Sequence, residues 1–147
     1  MPPPAPKDLP KVKAVLLVSS SDETRSPLLS ILAATVWNVH LARNCEEAET
    51  LLRRHDIRIV ICDARFAGGG WRDLLRFVDR MSLPVSLIVT APVADEALWA
   101  EVLNLGGYDV LAQPFDEQEV LRIGTAAFRH ADRAQSYPTQ PARYATA

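Results

Sequence analysis

This 147-residue chain has no long apolar run and no block of like charge. No stretch approaches the roughly 20 apolar residues of a membrane-spanning helix, and the proline-rich start MPPPAPKDLPK lacks the apolar segment of a secretory signal. The 16 basic and 18 acidic residues are interspersed, so no basic patch predicts nucleic-acid binding. We therefore expect a cytoplasmic protein that binds neither membranes nor nucleic acid.

Cysteine and glycine are also scarce. The two cysteines, Cys45 and Cys62, lack the spacing of a C-x-x-C motif and have no histidine cluster beside them, which argues against disulfide frameworks and zinc sites. The six glycines form neither a G-x-G-x-x-G motif nor a phosphate-binding loop that ends in Gly-Lys-Ser/Thr. The AGGG stretch at 67–70 is therefore interpreted as a flexible loop.

Between proline-containing ends, five apolar segments alternate with five helical patterns. The predicted strands cover 13–19, 37–42, 57–62, 84–90 and 108–112, and the predicted helices cover 22–36, 45–54, 71–81, 94–107 and 116–130. Strands one, three and four are apolar on both faces, as in a parallel sheet covered by helices. Right-handed crossovers then predict an α/β fold: a single doubly wound, five-stranded parallel sheet in a three-layer sandwich. Residues 1–11 are expected to be a proline-rich tail, 12–130 the domain and 131–147 a disordered tail.

Polar side chains follow four of these strands. Ligand sites in doubly wound sheets lie beyond the carboxyl ends of the strands, where chemistry-bearing residues converge. With a strand order of 2-1-3-4-5, four strand ends are neighbours at this edge. The residues concerned are Ser19, Ser20, Asp63, Thr90 and Gln113.

Four motifs at these positions resemble the response-regulator receiver domain of two-component signalling, a flavodoxin-like fold, over about residues 12–130. They are IVICDARF, LIVTAP, QPF and the GG that closes the fourth helix. The resemblance implies that Asp63 is the phosphoacceptor and Thr90 the switch hydroxyl, with Ala91 as a small pocket neighbour. It also implies a cis peptide bond before Pro114. The partners it implies are a histidine kinase or another signalling protein, and a second copy bound through the fourth helix, fifth strand and fifth helix.

The departures from the family pattern predict a degenerate pseudo-receiver. Ser19 and Ser20 stand where the family has the acidic pair that holds Mg²⁺, Gln113 replaces the lysine, and Val110 replaces the switch aromatic. Mg²⁺ favours charged oxygen ligands, and losing a unit charge about 4 Å from a divalent ion removes roughly 8 kcal/mol of attraction at an effective dielectric near 20. We expect no metal site, Mg²⁺ binding that is weak at best, and slow phosphotransfer that hardly depends on Mg²⁺.

Arg65 is a further pocket candidate, because the second residue after the acceptor commonly faces the pocket in the family. An ion pair between Arg65 and Asp63 would hold the domain in one state without phosphate.

Three functions remain open. The first is a stand-alone receiver-type protein in phosphorelay signalling, which is not an enzyme. The second is a protein-binding or dimerisation module independent of phosphorylation. The third is a small α/β nucleotide-binding enzyme, for which the sequence offers no phosphate-binding fingerprint.

Overall fold

A computed structural model describes residues 13–93 and 95–136. The strands are β1 (Ala14–Val18), β2 (Asn38–Ala42), β3 (Ile57–Asp63), β4 (Arg65–Phe66), β5 (Gly69–Gly70), β6 (Ser86–Ala91) and β7 (Asp109–Ala112). The helices are α1 (Asp22–Ala33), α2 (Cys45–Arg54), α3 (Trp71–Arg80), α4 (Glu96–Leu105) and α5 (Glu117–Ser136). Within this described part, no helix is long and apolar enough to cross a membrane.

The main sheet has the order β2-β1-β3-β6-β7, and all its strands are parallel. This confirms the predicted order 2-1-3-4-5, since β6 and β7 are the fourth and fifth predicted strands. The numbers differ because β4 and β5 form a separate antiparallel ribbon. The second strand of that ribbon consists of Gly69 and Gly70, half of the AGGG stretch that was predicted to be a flexible loop. Gly70 is held there because its strand pairs with Arg65.

The sheet is covered on both faces, which gives the predicted three layers. Alternate residues of β1 point to opposite sides, because side chains along a strand alternate in direction. Leu16 and Val18 pack in the cluster that includes residues of α2, α3 and α4. Val15 and Leu17 pack in the cluster formed with α1 and α5. The central strands are therefore buried on both sides, and their carboxyl ends open at one edge.

Local signals set several helix ends. Asn44 caps α2 by accepting a hydrogen bond from the Glu47 backbone N–H at 2.8 Å. Gly106 ends α4 in the left-handed conformation, with φ of 107°, which costs glycine little. Both ends agree with the sequence prediction.

Two predicted boundaries are wrong. α1 ends at Ala33 rather than residue 36. α5 continues to Ser136, so residues 131–136 belong to a helix and not to the predicted tail. The apolar stripe of α5 explains this extension, because Ala127, Phe128 and Ala131 are all buried. The predicted tail 1–11 and residues 137–147 lie outside the described residues.

Candidate functional site

The site centres on Asp63, the last residue of β3, whose carboxylate accepts two side-chain hydrogen bonds. Ser19 Oγ donates to Asp63 Oδ2 at 2.6 Å, and Thr90 Oγ1 donates to Oδ1 at 2.7 Å. Ser19 is 0% exposed and Thr90 is 3% exposed, whereas Asp63 is half-buried. Each carboxylate oxygen therefore has one buried hydroxyl donor.

The parallel register brings these three residues together. Asp63 is paired with Thr90 in the ladder between β3 and β6. Ser19 directly follows β1, and its backbone N–H continues the ladder to the Ala42 carbonyl at 3.0 Å. Because β1 and β6 flank β3, residues at the ends of both neighbours reach the carboxylate from opposite sides.

Only one of the two serines at the acidic-pair positions takes part. Ser19 Oγ accepts a hydrogen bond from Ser21 N at 3.1 Å, which closes a tight turn after β1. This turn leaves Ser20 exposed, and no hydrogen bond joins it to Asp63 in the described part of the chain. Of the two serines predicted at this edge of the sheet, Ser19 is therefore the one that bonds to Asp63.

Gln113, at the lysine position, reaches α1 rather than Asp63. Its Nε2 donates to the hydroxyl of Thr24 at 2.9 Å, and its backbone N–H donates to the Ala91 carbonyl at 2.9 Å. The peptide bond between Gln113 and Pro114 is cis, the geometry that the family resemblance implied. The amide of Gln113 thus connects the loop after β7 to the first turn of α1.

Thr24 is the residue that sequence reasoning missed. It is 7% exposed, although it lies in the polar segment SSSDETR. The sequence did place Thr24 in the first turn of a helix that starts at the carboxyl edge of the sheet. Its hydrogen bond could not be predicted, because it depends on the direction of the Gln113 side chain. Beside it, Arg25 donates to the Ser19 carbonyl at 3.3 Å and forms an ion pair with Asp22.

The predicted ion pair between Arg65 and Asp63 is not formed. Arg65 is exposed, and among the described residues no ion pair joins its guanidinium to the Asp63 carboxylate. The physical reason is the ribbon: pairing of Arg65 with Gly70 in β4–β5 carries the chain away from the carboxyl edge right after β3. Arg65 instead lines a separate cavity beside α3.

These residues do not fit Mg²⁺. The ion favours carboxylate and other charged oxygens in a near-octahedral arrangement. Here both oxygens of Asp63 accept hydrogen bonds from hydroxyl groups, and the residue that follows β1 is a neutral serine. In the described ranges, no group of three or more His, Cys, Asp or Glu side chains could hold a metal ion.

Neither cysteine is a candidate nucleophile. Burial raises the pKa of Cys62 far above the ordinary thiol value. Partial burial and a hydrogen bond to Glu49 raise the pKa of Cys45 to about 11. Since the thiolate is the reactive form, the raised pKa of each thiol disfavours a role as nucleophile at neutral pH.

Solved structures of similar fold are response-regulator domains. The signal receiver domain of an HD domain-containing protein from Pseudomonas fluorescens Pf-5 matches with a TM-score of 0.79 and 24% identity, covering 90% of this chain and 98% of that one. A CheY-like receiver domain protein from Methanospirillum hungatei JF-1 matches with a TM-score of 0.73 and 15% identity, covering 84% and 98%. The beryllofluoride-activated NtrC4 receiver domain dimer matches with a TM-score of 0.74 and 22% identity, covering 82% and 99%.

The chain has the receiver-domain fold. No protein-family model matches the sequence. In this receiver fold, Asp63 lies at the end of the third strand of the sheet and Thr90 at the neighbouring strand, the positions that the sequence motifs indicated. Within this fold, the hydroxyl groups of Ser19 and Thr90 face the Asp63 carboxylate.

Proposed function

We propose that this protein is a receiver-type signalling module that acts through protein contacts, with little or no Mg²⁺-dependent phosphorylation at Asp63. The observation that carries the proposal is the pair of buried hydroxyl groups, from Ser19 and Thr90, that donate to the two oxygens of the Asp63 carboxylate. A phosphorelay receiver that accepts phosphate on Asp63 is the alternative.

The hydroxyl pair opposes phosphotransfer in two ways. A carboxylate oxygen that accepts a short hydrogen bond is a weaker nucleophile than a free one, because its lone pair is already engaged. Phosphoryl transfer also relies on metal ions to neutralise charge on the transferred group. With Ser19 in place of an acidic ligand, the described residues around Asp63 offer no group of carboxylates for such an ion.

Thr90 supports the same conclusion. In receiver domains, the hydroxyl at this position turns toward the phosphoryl group after phosphorylation. Here Thr90 Oγ1 is already bonded to the unmodified Asp63. Val110, which replaces the aromatic partner of the switch, is an aliphatic residue of intermediate burial on β7. We infer that the domain keeps one arrangement of its switch without phosphate.

The surface that we propose to bind a partner protein is formed by α4 and β7. Four large apolar side chains are exposed on or next to α4: Val93 at 70%, Trp99 at 50%, Leu103 at 36% and Leu105 at 50%. Trp99 Nε1 donates to Asp109 Oδ1 at 3.3 Å, which links α4 to β7. Exposed aromatic and aliphatic groups on one helix favour a protein partner or a second copy as the occupant.

Labelling with acetyl phosphate tests the proposal. The wild type and Asp63→Asn are incubated with and without MgCl₂, and the phosphoryl group is detected by intact-protein mass spectrometry. We expect wild-type labelling to stay close to that of Asp63→Asn and to be unaffected by Mg²⁺. Rapid, Mg²⁺-dependent labelling of the wild type at Asp63 would refute the proposal.

A gain-of-function variant provides the matched control. Ser19→Asp combined with Ser20→Asp and Gln113→Lys restores the charges that the family pattern has at these positions. We expect Mg²⁺-dependent labelling of this variant at Asp63, because the metal then has carboxylate ligands. If the restored variant labels and the wild type does not, the assay is competent and the loss of charge is the cause.

A further inference from the structure

Three arginines line one cavity on the side of the domain next to the β4–β5 ribbon. The cavity has a volume of about 260 Å³ and lies between the ribbon and the first turns of α3. Its lining includes the guanidinium-bearing residues Arg65, Arg72 and Arg76 and one acidic residue, Asp73. The lining therefore carries three positive charges and one negative charge.

The single carboxylate of this lining is already used. Asp73 Oδ2 accepts from the Gly70 backbone N–H at 2.9 Å, and Oδ1 accepts from Arg76 at 2.8 Å. The bond to Gly70 caps the start of α3, so we attribute no ligand binding to that helix end. Within the described residues Arg65 has no ion pair at all. Arg76 is paired with Asp73 and Arg72 with Glu101 of α4, so among the described residues the one arginine of the lining without an acidic partner is Arg65.

Arg72 is oriented by its neighbours. Its guanidinium lies over the ring of Trp71, 5.0 Å from the centroid, and forms an ion pair with Glu101 of α4. Trp71 is 3% exposed, so the ring is a fixed platform. The guanidinium of an arginine held in this way has a fixed orientation, and its remaining N–H groups are available to a ligand.

We propose that this cavity binds a phosphate monoester or inorganic phosphate. Guanidinium groups match the geometry of phosphate oxygens and bind them with two parallel hydrogen bonds. A phosphate monoester carries about −1.5 to −2 charges at neutral pH, so it can accept hydrogen bonds from Arg65 and from a second arginine that leaves its carboxylate partner. Arg65 supplies its unpaired guanidinium group, and Arg76 replaces its hydrogen bond to Asp73 with one to the phosphate. The phosphate comes from a free phosphorylated compound or from a phosphorylated side chain of a partner protein.

This site is separate from the Asp63 pocket and does not depend on the function proposed above. Arg65 makes no ion pair with Asp63 in the described part of the chain. Binding at the cavity is non-covalent, and it is expected to be the same in Asp63→Asn as in the wild type. Tighter binding in Asp63→Asn, which removes a negative charge that repels anions, would place the anion beside Asp63 and would overturn the proposal.

The test is a titration followed by ¹H–¹⁵N spectra at low ionic strength, with inorganic phosphate, phosphoserine and acetate as separate ligands. We expect saturable shifts of the Gly69 and Gly70 amides with both phosphate ligands, and about tenfold weaker binding of acetate. Tighter binding of phosphoserine than of inorganic phosphate points to a phosphorylated side chain as the source, and the reverse order points to a free compound.

Two variants and one control decide the location. Arg65→Gln is expected to weaken phosphate binding about tenfold, and Arg65→Gln with Arg76→Gln to abolish it. Arg80→Gln removes the same charge from the last turn of α3, outside the cavity, and is expected to leave binding unchanged. The proposal is overturned if no shift saturates, if acetate binds as well as phosphate, or if Arg80→Gln weakens binding as much as Arg65→Gln.

Discussion

The helices α3 and α4 are each ten residues long, lie on the same face of the sheet, and pack very differently. α3 buries five of its residues: Trp71, Leu74, Leu75, Phe77 and Val78. α4 buries one, Val102. α3 therefore forms part of the core, whereas α4 rests on it through a narrow contact.

The difference in burial indicates that the two helices have different roles. A helix with many buried contacts opens only when the whole domain unfolds, while one with few buried contacts can open or shift locally. The exposed apolar side chains also lie on α4 rather than α3, with Trp99 and Leu105 both 50% exposed. α4 thus combines local freedom with a surface suited to a partner.

Truncation of the core leucine of α3 is expected to have the largest effect. Leu74 is 0% exposed, and Leu74→Ala should reduce the free energy of unfolding by about 2–5 kcal/mol because it leaves a cavity between α3 and the sheet. The measurement is urea unfolding followed by circular dichroism. The matched change on α4, Leu105→Ala, should cost about 0.5 kcal/mol or less. Equal losses for the two variants would remove the contrast between the helices.

Val102→Ala tests the single buried anchor of α4. Val102 is 0% exposed, and removing two carbons from it should cost about 2 kcal/mol. Hydrogen–deuterium exchange should speed up across α4 while the amides of α3 keep their protection, because α4 opens without the rest of the core. Uniform acceleration in both helices would show that α4 is not a separate opening unit.

The fold could be predicted from the sequence because its signals are local and repeated. Apolar runs marked the central strands, Asn44 with Glu47 marked the start of α2, and Gly106 marked the end of α4. The handedness of the crossovers predicted the doubly wound layers. The order 2-1-3-4-5 was predicted because it brings the polar strand ends together and is the order of the receiver-like fold that the motifs resemble. The end of α5 was missed because the small residue Ala131 gives a weak apolar signal, although the structure buries it.

The site could be predicted only as far as the backbone determines it. Asp63 and Thr90 meet because the register of β3 and β6 pairs them. The directions of Gln113 toward Thr24 and of Arg65 away from Asp63 depend on side-chain packing and on the β4–β5 ribbon. A two-residue ribbon carries no periodic sequence signal, so the sequence could not predict where it directs Arg65.

The ion pair between α3 and α4 is expected to contribute less than Val102. Arg72 and Glu101 join the two helices, but their side chains are 53% and 40% exposed, so water screens the attraction. Glu101→Gln should leave the unfolding midpoint nearly unchanged and the exchange rates of α4 close to those of the wild type. A loss as large as that of Val102→Ala would mean that charge rather than packing attaches α4.

The edge of the sheet at β2 extends the comparison to pH and gives the smallest expected effect. The rings of His40 and His55 stack with centroids 4.3 Å apart. Partial burial, and next the charge of His55, lower the pKa of His40 from its ordinary value of 6.5.

The unfolded chain therefore binds a proton at His40 more readily than the folded protein does. The contribution of His40 to stability is fully present above pH 6.5 and is lost as the pH falls through the folded pKa. Urea midpoints measured across this range should decrease less in His40→Gln than in the wild type. His55→Gln should have an intermediate slope, because it removes the charge of His55 but not the larger effect of burial. If the urea midpoint of His40→Gln depends on pH as steeply as that of the wild type, the pH dependence originates at other groups. The edge of the sheet at β2 then contributes as little to stability as the exposed face of α4.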